Sequence, residues 1–242
     1  MRNLRIAFGL LTTLPLGMPE DWHHGDSGRA AAWFPLVGIV VGGFTWICWL
    51  AFTPLFTPLI AGLLTLIVWI ALTGGLHIDG LADCCDGLFA SATPERRLEI
   101  MKDPHLGTFG CVGLLLLLFS KAAALSALTA FSGLSIILAA TISRWLILSA
   151  AMLPPVHPGG MGADFAAGLK RGVIVGTAIF PLAMAALLGV RGVYAVVFAV
   201  LAATAVLALA KSRIHGVSGD VFGMLVEVTE TVVLLTFTLR GQ

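Results

Sequence analysis

The chain has 242 residues, 58% hydrophobic and only 11% charged, with a mean hydropathy of +1.00 and a formal net charge of +1. A soluble domain carries roughly 25% charged residues, so this composition cannot cover a water-facing surface. The net charge is uninformative about nucleic acid, but no basic tract suggests one, and no nucleic-acid partner is expected.

The apolar residues arrive in runs close to the ~20 needed to cross a bilayer core. The expected fold class is therefore all-α: a polytopic integral membrane protein of about seven transmembrane helices plus interfacial helices, forming one membrane-embedded domain over 1–242. In chain order, MRNLRIAFGLLTTLPLG places Arg2 and Arg5 before a short apolar run, as a signal peptide would. It has no small-residue cleavage site and runs into Pro15, so an uncleaved interfacial helix is expected. Spans are expected over 33–52, 55–76, 108–130, 133–153, 172–190, 193–210 and 221–239. Thr53 with Pro54, Thr57 with Pro58, Phe131-Ser132-Gly133 and Arg191 with Gly192 mark tight turns at one face. Three polar insertions, 77–107, 154–171 and 211–220, occupy the other. Within the first, PERRLEIMKD (94–103) reads as a short amphipathic surface helix; in the second, PPVHPGGMGADF (154–165) reads as a mobile lid. Gly38 with Gly42 and Gly172 with Gly176 have the spacing of packed membrane helices.

Charge is segregated along this pattern. Ten of the fourteen Lys and Arg residues lie in the amino-terminal arm and the insertions, which makes that face cytoplasmic, since basic residues stay preferentially inside. Arg191 and Arg240 fall on the opposite face, and Lys121 and Arg144 inside spans. Eleven of thirteen carboxylates and all six histidines share the insertion face, although the positive-inside rule does not govern them. A site facing the cytoplasm from the inner membrane accounts for that one-sidedness. Cys48, Cys84, Cys85 and Cys111 lie in or beside spans and read as small packing residues rather than disulfides.

The strongest local signal is GGLHIDGLADCCDGLF (74–89), where Asp79, Asp83 and Asp86 are spaced by four and three and share one helical face. Carboxylates so close repel unless a cation neutralises them, and hard oxygen ligands suit Mg²⁺ or Mn²⁺. His77 stands where it could orient or deprotonate an attacking hydroxyl. Arg96, Arg97, Lys102 and His105 follow in the same insertion and fit either a phosphate-bearing substrate or membrane-lipid headgroups. In the last span Asp220, Glu227 and Glu230 fall on one helical face, with Arg144 and Lys121 the cations available to Glu227. Asp220 is a further metal candidate, and Lys121, Arg144 and Glu227 are candidates for substrate binding.

The segment 74–89, with ERRLEIMKDPHLGTFG (95–110) after it, resembles the signature of the cobalamin synthases, the adenosylcobinamide-GDP ribazoletransferases. LTTLPLG (11–17), WFPLVGIVVGG (33–43) and the Ser218-Gly219-Asp220 step extend the likeness over nearly the whole length. Cys84 and Cys85 stand where small residues are expected. The resemblance implies an enzyme of cobalamin biosynthesis in which α-ribazole or its 5′-phosphate attacks the cobinamide phosphate of adenosylcobinamide-GDP, with Mg²⁺ as cofactor and GMP released. Asp79, Asp83, Asp86 and Asp220 would hold the metal. Assembly into a homo-oligomer is compatible with this reading. The CDP-alcohol phosphotransferase motif D-x-x-D-G-x-x-A-R is matched at Asp83, Asp86, Gly87 and Ala90, but Ser91 replaces its arginine. A cation transporter would need acidic residues toward both faces, and the external loops have none.

Overall fold

The computed structural model describes residues 1–239. Among them regular structure is helical, apart from one isolated bridge between Pro155 and Val217. In order the helices are α1 (Arg2–Leu11), α2 (Asp26–Ala30), α3 (Phe34–Phe52), α4 (Pro58–Thr73), α5 (Leu76–Phe89), α6 (Pro94–Ile100), α7 (Thr108–Ala127), α8 (Ser135–Leu146), α9 (Met161–Gly168), α10 (Arg171–Thr177), α11 (Ile179–Leu187), α12 (Gly189–Ile214) and α13 (Gly219–Thr236). Proline opens α4 and α6 at the first helical turn, where the missing N–H is harmless.

Burial separates inner helices from outer ones. Thirteen of the eighteen residues of α13 and eleven of the twelve of α8 are buried, so these two form the axis of the bundle. By contrast α12 buries a stripe of Ala195, Ala199, Ala203, Val206 and Ala210 while Val193, Tyr194, Val197, Phe198 and Leu201 stay exposed. Small residues face the bundle and large apolar ones face outward, as hydrocarbon surroundings require. Gly38 and Gly42 of α3 do serve as a packing seam. A Cβ on either would stand 2.7 Å from a Cα of α8, at Thr141 and Ile137. Gly172 and Gly176 do not, because a Cβ there meets nothing within 4 Å.

Four helical segments are long and apolar enough to cross a membrane: Asp26–Phe52, Thr108–Ala127, Ser132–Met152 and Gly189–Ile214. Two bent pairs, Pro58–Thr73 with Leu76–Phe89 and Met161–Gly168 with Arg171–Leu187, raise the number to six. The expectation of about seven is thereby corrected to four to six apolar spans. The seventh, α13, has the length but carries Asp220, Glu227 and Glu230. The amino terminus forms the expected short helix, with Ile6, Ala7, Phe8 and Leu11 buried against the core. Arg240, assigned to the opposite face, lies outside the described residues.

Whether α13 traverses the bilayer decides where the chain ends. With α13 as a seventh crossing, reporter fusions at Gln242 and within 154–171 are expected to label opposite sides. Labelling of both on one side would show that α13 does not cross.

Candidate active site

The acidic segment is positioned by a turn that only glycines make cheaply. Gly74 ends α4 with φ 64° and Gly75 precedes α5 with φ 72°, both left-handed, and the chain bends by 92° between the helices. Helix α5 therefore runs across the end of the bundle and meets α13. At their crossing a Cβ on Gly80 would stand 2.8 Å from the Asp220 carbonyl oxygen, and one on Gly223 2.9 Å from that of His77. Two bare glycines thus bring the carboxylates of α5 and α13 together.

These carboxylates have different surroundings. Asp79 is exposed and Asp83 half-buried, and no cationic side chain pairs with either among the described residues. Asp83 lies within electrostatic reach of Asp79, Asp220 and Asp86, and Asp220 within reach of Asp79 and His157. The Ser218 hydroxyl donates to Asp220 at 3.1 Å. Asp86 departs from the expectation of a metal ligand and catalytic group: its two oxygens accept the Gly107 and Gly110 N–H groups, each at 2.8 Å. It caps the first turn of α7, where a carboxylate satisfies orphan amides and the helix dipole.

Among the described residues no three His, Cys, Asp or Glu side chains converge tightly enough to enclose a metal ion alone. Mg²⁺ commonly takes one or two carboxylates and fills its shell with water and substrate phosphate. The carboxylates of Asp79, Asp83 and Asp220, none of them in a salt bridge among the described residues, fit that kind of partial donor set.

Asp79, Asp220 and buried His77 line one cavity of about 170 Å³, whose other walls include Phe34, Ile147, Phe165 and Phe222. The His77 Nδ1 has no hydrogen-bond partner. A second cavity, of about 350 Å³, adjoins it through Met161 and is bordered by Trp22, His24, Gly159, Gly160 and Asp164. The roof that separates them is held by residues the sequence reading passed over. Asp164 accepts from the Gly25 N–H at 2.6 Å, the Ser27 N–H at 3.0 Å and the Ser27 hydroxyl. Fully buried Asp26 binds Arg2 and Arg29, each at 2.6 Å. His157, also unassigned from sequence, has a buried Nε2 without a partner. The signal available was the pair of polar clusters HHGDSGR and GADF in otherwise apolar surroundings.

The basic candidates divide. Arg96 is exposed and pairs with Glu99 at 2.7 Å, and Lys102 is exposed. Exposed His105 bonds Asp103 at 2.6 Å, and its backbone and ring hydrogen bonds hold the Asp103 carboxyl below its usual range. Arg97, expected to bind substrate, is buried: it donates to the carbonyls of Ala92 (3.0 Å), Gly87 (3.0 Å) and Leu88 (2.6 Å), closing the carboxyl end of α5. Lys121, Arg144 and Glu227, also expected at the substrate, are enclosed and bound to one another's neighbours. Lys121 bridges Glu227 at 2.9 Å and Glu230, and sits 4.5 Å over the Trp69 ring. Of the two cations available to Glu227, Lys121 takes it, while Arg144 pairs with Glu230 and also reaches the Ser143 hydroxyl at 3.0 Å.

Removing one member of such a cluster leaves an uncompensated buried charge, at ~3–5 kcal/mol. Lys121→Met is expected to lose stability of that order in unfolding measured in detergent. In double-mutant cycles Arg144 is expected to couple more strongly to Glu230 than to Glu227. Equal couplings would contradict the pairing.

The sequence model of cobalamin-5-phosphate synthase matches residues 3–238. A protein of Desulfitobacterium hafniense (strain Y51) named adenosylcobinamide-GDP ribazoletransferase is 37% identical over 170 residues, 68% of this chain and 67% of the relative. Relatives of the same name from Thiobacillus denitrificans (37% identical, 66% of each chain) and Deinococcus radiodurans (45% identical, 48% of this chain and 44% of the relative) also match. The first two alignments span about two thirds of the relatives' length. No solved structure matches. With a match over almost its full length, the chain belongs to the cobalamin-5-phosphate synthase family.

Proposed function

We propose that this enzyme is an Mg²⁺-dependent adenosylcobinamide-GDP ribazoletransferase that works at the cytoplasmic face of the inner membrane. The observation that carries the reading is the meeting of Asp79 and Asp220, from two different helices, on the wall of one cavity that also holds His77. In the reaction, a ribose hydroxyl of α-ribazole or its 5′-phosphate forms a bond to the phosphorus attached to cobinamide. The bond from that phosphorus to GMP breaks, and the hydroxyl gives up its proton. The other relevant support is chemical: phosphoryl-type transfer asks for alignment and charge compensation more than for covalent help.

Asp79, Asp83 and Asp220 would hold Mg²⁺, which when bound supplies the positive charge that the phosphate oxygens and these carboxylates both need. His77, buried in the wall of the same cavity, would receive the hydroxyl proton. Arg96, Lys102 and His105, exposed on the same insertion, guide the anionic diphosphate toward the site. Asp86 acts as a positioning residue, fixing α7 against α5, and Arg97 does the same for the turn after α5. The lipid surroundings suit an amphiphilic corrinoid that approaches along the membrane.

Purified protein given adenosylcobinamide-GDP, α-ribazole 5′-phosphate and Mg²⁺ is expected to yield the joined corrinoid and GMP, to stop on chelation, and to resume when Mg²⁺ is returned. Activity that persists under chelation would remove the metal from the reading. Asp79→Asn, Asp83→Asn and Asp220→Asn are expected to lower transfer at least a hundredfold with the unfolding temperature kept. Asp86→Asn is expected to lower both, because an amide offers only one oxygen to the two N–H groups of α7. An Asp86→Asn protein with parental stability would make Asp86 a direct participant.

A further inference from the structure

The inner cavity has a polar end and an apolar end, and the reading above uses only the first. Beyond Asp79, His77 and Asp220 the walls include Leu11, Phe34, Ile147, Phe165 and Phe222, with Ser27, whose hydroxyl is taken by Asp164, and with the more exposed Leu76 and Met161 at the edge. Phe165 stacks on Phe34 at 5.9 Å between centroids and lies 5.2 Å from Phe222, so the three rings form a fixed wall. Phe34, Ile147 and Phe165 are at most 3% exposed. A dry cavity of ~150 Å³ lined by Leu, Ile and Phe is known to take up benzene, and the volume here, about 170 Å³, is of that order. At the polar end stand the carboxylates of Asp79 and Asp220.

We propose that this cavity seats the flat, weakly polar aromatic base of the incoming nucleoside, and that Phe34, Ile147, Phe165 and Phe222 determine which bases the enzyme accepts. The proposal rests on the transferase reading and adds the substrate's orientation: base inward among the aromatic side chains, ribose outward at Asp79 and Asp220. The competing occupants fit poorly. A guanine ring would leave its exocyclic donors and acceptors unpaired against phenylalanine, a penalty of ~1–3 kcal/mol for each buried group. A corrin ring is many times too large, and a lipid would bring its phosphate to carboxylates that repel it unless a metal intervenes.

The test fills the mouth from positions whose side chains are themselves exposed, Leu76 at 56% and Met161 at 43%, so that folding is not at stake. Met161→Trp and Leu76→Trp proteins, in detergent, are titrated with α-ribazole, with ribose 5-phosphate as the same sugar without a base, and with adenosylcobinamide-GDP. Weakening of α-ribazole by tenfold or more in at least one variant is expected, with the affinities for the other two ligands within twofold of the parent. Unchanged α-ribazole binding in both variants, or an equal loss for all three ligands, would overturn the assignment. The parent enzyme's GMP release, measured in parallel, separates the two ideas. A parent that releases GMP while its variants bind α-ribazole normally sinks the cavity proposal alone. A parent that releases none while the variants still discriminate α-ribazole sinks the transferase reading alone.

Discussion

The architecture depends on four charges placed where water does not reach. Lys121 of α7, Arg144 of α8 and Glu227 and Glu230 of α13 are each no more than 3% exposed. Two positive and two negative groups balance, and each helix contributes what the next one lacks. Isolated, any of them would be far too costly to bury in an apolar bundle; together they leave no net charge inside. Their positions fix the rotation of α13 about its axis. Glu227 and Glu230 must face α7 and α8, and Asp220, seven residues or about two turns before Glu227, is thereby carried to the same side of the helix at its other end. The glycines at 80 and 223 then admit α5 against that end. The buried cluster is thus the reason that the carboxylates of α5 find Asp220 rather than another face of α13.

Much of this was legible in the sequence because the bilayer imposes simple rules. Length and hydropathy located most of the helices, and the clustering of carboxylates in 74–89 and at Asp220 anticipated that α5 and α13 bring acidic residues to one cavity. Asp79, Asp83 and Asp86 stood out because spacing of four and three is a geometric statement about one helix face, and Asp220 because it opens a second acid-bearing helix. The count of apolar spans went astray for a physical reason as well. Expected and observed helices coincide along most of the chain, but α13 mixes the length of a span with three carboxylates, and a protein interior tolerates what lipid does not.

Partners were the part that sequence could not supply. Asp86 belongs to the same i, i+3, i+4 pattern as its neighbours, yet 21 and 24 residues downstream two backbone amides claim it. Backbone donors carry no sequence letter, so a capping carboxylate and a ligating one look alike. Arg97 repeats the lesson with the opposite sign: a guanidinium's several donors suit phosphate, and they suit the open carbonyls at the end of α5 equally well. The pairing of Arg144 with Glu230 instead of Glu227 turns on a choice between two acids one helical turn apart. Helix periodicity alone does not resolve it.

The two helices that carry the site are also fixed by opposite means, and this division suits a transfer reaction between two large partners. Helix α13 is locked from within by the charge cluster, so Asp220 belongs to the rigid part of the molecule. Helix α5 is held at its ends, by the Gly74 and Gly75 turn on one side and by Arg97 and Asp86 on the other. The roof over the cavity is tied down by two short helices packed backbone to backbone, α9 through Asp164 on Gly25 and Ser27 at the start of α2, where a Cβ on Gly28 or Gly168 would collide with the facing chain, and by the Val156 N–H on the Val217 carbonyl at 3.1 Å. With helices packed both below and above the cavity, the separation of Asp79 and Asp220 is set by the α5–α13 crossing, where Gly80 and Gly223 meet the facing backbone.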